Sequence, residues 1–229
     1  MRPIPPLEDV IEWDVPNWAV SLKYWREHTH LNTVPLRALE IGCGHGGLSL
    51  WAASTGMEVL CTDLEGPSRE AREKHGRYGV ADRIRYGALN ALDIPFRQEF
   101  DVILFKSVLG GVGRGNNREN QVKAVHEIHK ALKRGGELWF AENLAASPFH
   151  RFFRSRFVPW GKTWRYVTVR EMLAYLSVFS EVDFTTAGFL GGFGRTPFQR
   201  TILGRMDRLV ADRLVPEAWR YIMIGIARK

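Results

Sequence analysis

The sequence predicts an α/β fold in which a mainly parallel β-sheet is doubly wound, with helices on both faces. Two observations lead to this prediction. Short apolar segments alternate with segments of helical spacing from residue 37 onward, and a glycine-rich turn joins the first strand to the first of these helices. A chain of 229 residues, of which 45% are hydrophobic and 25% are charged, suits one such domain with a substantial core.

The periodicity assigns the elements in chain order. Residues 1–16 are rich in proline and predict an irregular arm. Trp18, Leu22 and Trp25 recur at helical spacing and predict a helix that packs on the domain or covers its site. Strands are then predicted at residues 37–41, 57–62, 83–87, 100–105, 137–141, 182–189 and 221–227. Helices are predicted at residues 47–54, 67–78, 118–132, 168–178 and 206–214.

Local signals mark the ends of some helices. An Arg-Gly-Gly turn at 134–136 ends the helix before the fifth strand. Thr168 and Glu171 have the spacing of a capping box and begin a later helix. We therefore divide the chain into an N-terminal arm and covering helix at 1–35 and a domain at 36–229, with a basic aromatic insertion at about 145–167.

The glycine-rich turn is the strongest indication of a ligand. Residues 39–47 read Leu-Glu-Ile-Gly-Cys-Gly-His-Gly-Gly, and glycines let a ligand approach the backbone closely. Their spacing fits both a dinucleotide pattern and a Gly-x-Gly-x-Gly pattern, and a tight turn without a ligand remains an alternative. Asp63 ends the second predicted strand, where a carboxylate accepts hydrogen bonds from ribose hydroxyls. Together they predict a nucleoside site without specifying its kind.

Four segments resemble, in order and spacing, the class I S-adenosylmethionine-dependent methyltransferases of the type 11-like group. They are the glycine motif at 39–46, an adenine-side segment at 90–96, the fourth strand at 100–103 and a Leu-Lys-Arg-Gly-Gly turn at 132–136. The resemblance implies a Rossmann-like, seven-stranded sheet whose last strand is antiparallel. It also implies an enzyme that uses S-adenosyl-L-methionine as methyl donor and releases S-adenosyl-L-homocysteine.

The resemblance also assigns cofactor-binding roles. Glu40 would orient the methionine amino group, and Asp63 would bind the ribose hydroxyls. Leu64 would lie against the adenine, with Asn90 at its edge; the family more often has Asp at this position, but an Asn oxygen can still accept a hydrogen bond. Lys106 would border the methionine with its side chain directed elsewhere. The full predicted set is Glu40, Gly42, Cys43, Gly44, Gly46, Asp63, Leu64, Asn90, Ala91 and Lys106.

Two loops with the same pattern indicate where the acceptor binds. Leu-Gly-Gly-Val-Gly-Arg at 109–114 follows the fourth strand, and Leu-Gly-Gly-Phe-Gly-Arg at 190–195 follows the sixth. Both loops are expected at the carboxyl edge of the sheet, where Arg114 and Arg195 would clamp an anionic acceptor. Two unrelated flexible turns are the alternative. Asn143, at the end of the fifth strand, is also predicted to contact the acceptor.

Methylation of a sugar hydroxyl requires a base. His150 and Glu142 are the candidates because they lie beyond and at the end of the fifth strand, and a structural role remains open for each. Segments 106–114, 141–144 and 160–166 resemble a subgroup associated with bacterial surface-polysaccharide synthesis. This narrower resemblance implies O-methylation of a sugar in a polysaccharide precursor.

The chain is basic, with a net charge of +7 and a sequence pI of about 9.6. No Asp or Glu lies between Glu142 and Glu171, a span that contains arginines, a lysine and many aromatic residues. Such a surface suits an acidic acceptor, an anionic membrane surface or nucleic acid. We expect a small-molecule or glycan acceptor, with RNA methylation and a cofactor-binding protein without turnover as alternatives.

Other functional classes are disfavoured by the sequence. Cys43 and Cys61 form no disulfide framework and no metal-ligand pattern, and a reducing compartment fits such cysteine usage. No segment has the length and apolarity of a membrane span or a secretory signal. We expect a cytoplasmic protein without a metal site, and the sequence leaves its oligomeric state open.

Overall fold

The computed structural model describes residues 4–32, 35–159, 161 and 163–229. Trp160 and Lys162 of the predicted insertion, and residues 1–3 of the predicted arm, lie outside these ranges. The strands are β1 Arg37–Ile41, β2 Glu58–Asp63, β3 Ile84–Ala88, β4 Phe100–Lys106, β5 Leu132–Asn143, β6 Glu181–Ala187 and β7 Ile222–Arg228. The helices are α1 Leu7–Ile11, α2 Val15–Trp18, α3 Val20–His28, α4 Gly47–Ser54, α5 Arg69–Arg77, α6 Leu109–Val112, α7 Arg118–Ala131, α8 Pro148–Phe157, α9 Val169–Tyr175, α10 Pro197–Met206 and α11 Asp212–Leu214.

The strands form one seven-stranded sheet in the order β3-β2-β1-β4-β5-β7-β6. Strands β1 to β5 run parallel to one another, whereas β7 lies between β5 and β6 and runs antiparallel to both. This topology confirms the predicted fold class, including the antiparallel last strand. The chain order reverses between β1 and β4, and open α/β sheets bind ligands in the crevice beyond the carboxyl ends of such strands.

Helices cover both faces of the sheet. On one face, Trp25 of α3 stacks on Trp139 of β5 with ring centroids 6.1 Å apart, and Trp51 of α4 packs against both rings. On the other face, Ile128 of α7 and Met172 of α9 are fully buried in a second apolar cluster. Helix α3 is therefore part of the core. Burial of a large side chain such as Trp25 contributes about 2 kcal/mol to the free energy of unfolding.

The described part of the N-terminal arm, residues 4–16, is partly helical, so the prediction of an irregular arm is wrong for those helical residues. Helices α1 and α2 form within it, and Val10 and Ile11 are buried against the domain. Both helices are short, and short helices take their stability from tertiary packing rather than from local propensity. Proline-rich composition concealed these contacts.

Two predicted helix starts are also wrong. The helix predicted at 67–78 begins only after Ser68, whose hydroxyl accepts a backbone N–H of the first turn. The helix predicted at 206–214 begins earlier, at Pro197, where Thr196 opens a capping box. A π-helical turn then connects α10 to α11, so that the three pieces form one continuous helical segment. Both caps follow ordinary side-chain preferences at helix N-termini.

A buried polar cluster fastens the N-terminal segment to the last third of the chain. The Tyr221 hydroxyl donates to the Asp14 carboxylate, and Asn17 Nδ2 donates to Asp207 Oδ2 at 2.9 Å. Asp207 also accepts the Leu190 backbone N–H at 2.7 Å. Burial raises the pKa of Asp14 to about 8, and the nearby Asp207 charge acts in the same direction. The cluster thus favours a protonated Asp14 at neutral pH.

We expect an Asp14→Asn variant to lose less stability than the parent as the pH rises. Because the Asp14 pKa is raised in the folded state, its stabilising contribution is complete below the unfolded value of 3.8 and is lost as the pH rises through about 8. In that window the loss is about 1.4 kcal/mol per pH unit for a fully buried group. Urea unfolding of both proteins across this range measures the difference, and parallel pH profiles would contradict the role of Asp14.

Candidate cofactor site and acceptor cavity

The glycine turn adopts a backbone that side chains oppose. Gly42, Gly44 and Gly46 have φ of 66°, 53° and 76°, in the left-handed region that favours glycine. A Cβ at Gly42 would lie 2.7 Å from Val108 Cγ2, and one at Gly46 would lie 2.7 Å from His75 Nε2. A Cβ at Gly44 would meet no atom of the described residues within 4 Å. Gly44 therefore faces open space at the carboxyl edge of β1.

Asp63 supports this turn from the end of β2. One carboxylate oxygen accepts the Gly44 N–H at 2.9 Å, and the other accepts the Leu64 N–H at 2.7 Å. The side chain is only partly buried, so each oxygen retains lone pairs for further donors. Leu64 is 63% exposed beside it. The carboxylate is thus fixed next to the open side of the glycine turn.

The predicted adenine-side segment lies beside Asp63. The Leu89 N–H donates to the Asp63 carbonyl at 2.9 Å, which places the following residue, Asn90, at the same edge of the sheet. Asn90 is exposed, and its Oδ1 accepts the Leu92 N–H at 2.9 Å. Ala91 is buried behind it. Gly44, Asp63, Leu64 and Asn90 therefore lie close together at the carboxyl ends of β1 to β3, and a nucleoside bound there stays a prediction.

Glu40 is buried beneath the turn. One of its oxygens accepts both the backbone N–H of Ser49, at 2.8 Å, and the Ser49 hydroxyl. Burial raises its pKa to about 7. This contact connects β1 to the first turn of α4. Cys43 is buried nearby and donates its backbone N–H to the Thr62 carbonyl at 2.9 Å. The contacts of Glu40 and Cys43 with a cofactor remain predictions.

Lys106 extends from β4 to the N-terminal segment. Its Nζ donates to the Ile11 carbonyl at 2.8 Å and lies 5.8 Å from the centroid of the Trp18 ring. Burial lowers the pKa of Lys106, while the negative charges of Glu12 and Glu40 act in the opposite direction. The side chain thus binds the short helices that close this edge of the sheet.

A cavity of about 660 Å³ opens beside Lys106 and Ser107 at the carboxyl edge of the sheet. Arg114 and Arg195 both line it, so the structure brings the two repeated loops to one cavity, and Asn143 at the end of β5 lines it too. The described lining residues are Trp13, Trp18, Lys106, Ser107, Arg114, Asn143, Phe153, Arg154, Phe157, Val158, Pro159, Trp164, Tyr166, Gly192, Gly194, Arg195 and Arg200. We call this space the acceptor cavity.

The charge of the acceptor cavity is positive. Five of its described lining residues are cationic: Lys106, Arg114, Arg154, Arg195 and Arg200. The described lining contains no Asp, Glu or His. Several of these cations rest on aromatic rings: Arg195 Cζ lies 4.9 Å from the Phe157 centroid, and Arg154 Cζ lies 4.2 Å from that of Tyr166. Arg154 also donates from Nη1 to the Leu144 carbonyl, so its guanidinium is fixed in the lining by a ring and by the backbone.

Three of these lining residues, Trp13, Trp18 and Arg200, were not predicted as acceptor-binding residues from the sequence. Trp13 and Trp18 come from the N-terminal segment, and Arg200 lies 5.3 Å from the Trp13 ring centroid. Trp18 was assigned to a covering helix by its spacing alone, and Trp13 carried no local signal. Their position depends on the long-range contacts of the N-terminal segment.

The two candidate bases do not line the acceptor cavity. Glu142 is fully buried; one oxygen accepts the N–H groups of Val108 and Leu109 at 2.9 and 2.8 Å, and the other accepts that of Asn143 at 3.0 Å. Burial raises the pKa of Glu142 to about 7. Its geometry is that of a cap on α6, which argues against the predicted role as a base.

His150 is equally enclosed. Its Nδ1 lies 2.8 Å from the Ser147 hydroxyl and its Nε2 lies 2.9 Å from the Phe189 carbonyl. Burial lowers the pKa of His150 to about 4, and Arg154 acts in the same direction. A neutral ring that donates from Nε2 and accepts at Nδ1 satisfies both contacts. This arrangement gives His150 a structural role and argues against its prediction as a base.

Ser107 and Asn143 are neighbouring polar side chains in the lining of the cavity. Asn143 Nδ2 donates to Ser107 Oγ at 2.5 Å. Ser107 has a φ of 59°, an uncommon conformation for a residue with a side chain, which clusters at functional sites. Asn143 was predicted from its position, whereas the backbone conformation of Ser107 has no sequence signal.

Comparisons with known proteins agree with this fold. Residues 39–140 match the family described as "Methyltransferase domain". No curated protein matches the sequence. Among the described residues, no helix is long and apolar enough to cross a membrane.

Solved methyltransferase structures share the fold. Haemonchus contortus phosphoethanolamine N-methyltransferase 2, solved with S-adenosyl-L-methionine, is 16% identical with a TM-score of 0.65, and the match covers 93% of this chain and 52% of that one. The same protein, solved with phosphomonomethylethanolamine and S-adenosylhomocysteine, is 15% identical with a TM-score of 0.63, and the match again covers 93% of this chain and 52% of that one. A putative methyltransferase from Bacillus halodurans is 16% identical with a TM-score of 0.58, covering 86% and 94%. The chain thus spans about half the length of the Haemonchus protein.

Proposed function

We propose that this chain, which carries an S-adenosylmethionine-dependent methyltransferase domain, methylates an anionic small molecule or glycan bound in the acceptor cavity. The observation that carries the proposal is the charge of that cavity, where five cations and no carboxylate are found among the described lining residues. A phosphate or carboxylate group is the natural counterpart of such a lining. The Haemonchus neighbour, solved with phosphomonomethylethanolamine, gives an example of a phosphorylated ligand on this fold.

Gly44, Asp63, Leu64 and Asn90 fit the cofactor. Gly44 leaves room at the turn, and Asp63 offers carboxylate lone pairs to the ribose hydroxyls. Asn90 and Leu64 border the adenine. When bound, the sulfonium supplies an already activated methyl group, so alignment of the acceptor provides much of the rate enhancement.

The acceptor residues act by holding and orienting. Arg114 and Arg195 bind the anionic group from opposite loops, and Asn143 with Ser107 orients the acceptor hydroxyl at the base of the cavity. Gly44, Asp63, Leu64 and Asn90 would hold the cofactor, which would supply an activated methyl group to the acceptor hydroxyl, and the hydroxyl proton would pass to water. Neither His150 nor Glu142 takes the proton in this mechanism.

We extend the proposal to a sugar hydroxyl in a precursor of a surface polysaccharide. Its support is the sequence resemblance of segments 106–114, 141–144 and 160–166, together with a cavity of about 660 Å³. Such a volume accommodates a phosphorylated sugar or a sugar acid. The positive lining suits the phosphate groups of an activated sugar.

Charge reversal of the clamp tests the acceptor class. We expect Arg114→Glu and Arg195→Glu each to raise the KM for a phosphorylated sugar or sugar acid at least about tenfold, because each loses a charge-assisted hydrogen bond. The Kd of S-adenosylmethionine should not change. Transfer of labelled methyl from the cofactor to a panel of sugar phosphates, sugar acids, neutral sugars and RNA measures this. Arg134→Glu, an exposed arginine outside the cavity, is the control.

Two outcomes would contradict the proposal. Methylation of neutral sugars in preference to anionic ones would remove the role of the positive lining. A salt-sensitive gel shift with RNA, accompanied by RNA methylation, would establish the nucleic-acid alternative instead.

A further inference from the structure

The helical segment from α10 through α11 exposes an apolar row to solvent. Its large apolar side chains recur every four residues, which places successive members along one side of a helix. They are Phe198, Ile202, Met206, Val210 and Leu214, and they are between 44% and 77% exposed. Leu209, 70% exposed, lies beside them. A surface helix normally presents polar residues on its outer side, so nothing in the packing of the domain accounts for this row.

Helix α8 adds two further exposed aromatic rings. Phe149 is 65% exposed and Phe152 is 69% exposed. The two helical segments are neighbours, because Arg195, just before α10, lies 5.3 and 4.9 Å from the ring centroids of Phe153 and Phe157 on α8. Both segments also line the acceptor cavity. We call Phe149, Phe152, Leu209 and the α10–α11 row, together with the exposed arginines of the same helices, the arginine–apolar surface.

The charge around these side chains is positive. Arg151 and Arg156 are exposed on α8, and Arg205, Arg208 and Arg213 are exposed on the α10–α11 segment. The acids of these helices balance them only in part. Asp207 is fully buried and accepts backbone N–H groups, and Asp212 is 12% exposed and binds Arg208 and the Gly188 N–H. The described outer face of both helices therefore combines large apolar side chains with arginines.

We infer that the arginine–apolar surface binds the interface of an anionic lipid bilayer. Helices that lie in the plane of a membrane have this composition: Phe and Leu enter the boundary between headgroups and acyl chains, while arginines bind anionic headgroups. Both segments border the acceptor cavity, so its mouth would lie close to the lipid headgroups. Binding to the bilayer stands apart from the proposed function, since it requires neither cofactor nor acceptor.

Two other occupants fit the surface less well. A symmetric dimer would place the same patch against itself, bringing the arginines of two copies together without exposed acids to balance them. Single-stranded nucleic acid would need a series of rings on which bases stack. The three rings of this surface are outnumbered by aliphatic and thioether side chains, which are Ile202, Met206, Leu209, Val210 and Leu214. Large exposed apolar patches of this kind mark interaction sites.

Sedimentation with vesicles tests the inference on the full chain without cofactor. We expect binding to phosphatidylcholine vesicles that contain phosphatidylglycerol, weaker binding to pure phosphatidylcholine, and a fall in binding as salt is added. A Phe198→Ser/Leu209→Ser variant should bind at least about tenfold more weakly, because each side chain loses apolar area that enters the interface. Ile4→Ser, which removes an 88% exposed side chain outside the surface, should bind as the parent does.

Charge variants separate the electrostatic contribution. We expect Arg205→Glu/Arg213→Glu to lose the preference for phosphatidylglycerol, whereas Arg77→Glu on α5, also exposed, should keep it. An unchanged thermal midpoint in each variant confirms that the fold is intact, which is expected for exposed positions.

Three results would overturn the inference. They are equal sedimentation with neutral and anionic vesicles, parental binding by Phe198→Ser/Leu209→Ser, and a dimer in solution that this double variant dissociates. Methyl transfer is measured separately with soluble acceptors, so a failure of vesicle binding leaves the proposed function untouched, and the reverse also holds.

Discussion

Replacing Asp63 with alanine is expected to weaken S-adenosylmethionine binding at least about 100-fold. The carboxylate accepts the Gly44 N–H at 2.9 Å and the Leu64 N–H at 2.7 Å, and in the proposed site it also accepts from the ribose hydroxyls. Hydrogen bonds to a charged group contribute about 1.5–3 kcal/mol each. Loss of two to the ribose, together with loss of support for the turn, accounts for the expected change. Calorimetry with S-adenosylmethionine and S-adenosylhomocysteine measures it.

A graded pair of variants separates the charge from the shape of this side chain. Asp63→Asn keeps the size and one acceptor oxygen, so we expect an intermediate loss of about tenfold. Glu58→Ala removes an exposed carboxylate from the amino end of the same strand and should leave the Kd unchanged. An Asp63→Ala variant with the parental Kd would remove Asp63 from the cofactor site.

The predictable part of the fold is the part with local signals. The apolar run 100–105 and the capping box at Thr168 each specify an element without reference to the rest of the chain, and both are found where predicted. Helices α1 and α2 lack such signals. They are held by Tyr221, 207 positions from Asp14, and by Lys106, which binds the Ile11 carbonyl. Contacts of that sequence separation cannot be read from composition or spacing.

The site divides in the same way. Arg114 and Arg195 could be placed together in advance because the carboxyl ends of parallel strands meet at one edge of a sheet. The roles of the two candidate bases could not be predicted, because the position of a residue after a strand does not reveal whether its side chain is buried. His150 and Glu142 both lie at the correct edge, yet their side chains point into the protein, where backbone groups and a serine occupy their polar atoms.

Replacing Glu142 with alanine is expected to reduce the free energy of unfolding by about 3–6 kcal/mol. The substitution leaves the N–H groups of Val108, Leu109 and Asn143 without their carboxylate, and a buried unsatisfied donor costs about 1–3 kcal/mol. It also opens a cavity at a fully buried position. Urea unfolding at fixed pH measures the loss. A variant as stable as the parent would show that Glu142 does not cap α6.

The Glu142→Gln variant then separates a cap from a base. The carboxamide oxygen can still accept from Val108 and Leu109, whereas the carboxamide nitrogen cannot accept from Asn143, so we expect a smaller loss of stability, about 1–3 kcal/mol. A cap of this kind leaves kcat within a few-fold of the parent at every pH where the protein is folded. A general base would instead lose about 100-fold or more in kcat with the fold intact. The pH profile of kcat therefore decides the role. A parental profile in the Gln variant assigns Glu142 to holding Asn143 and α6 against the acceptor cavity. Loss of the rise in kcat from low to neutral pH, which a general base with a pKa of about 7 produces, would restore Glu142 as the base.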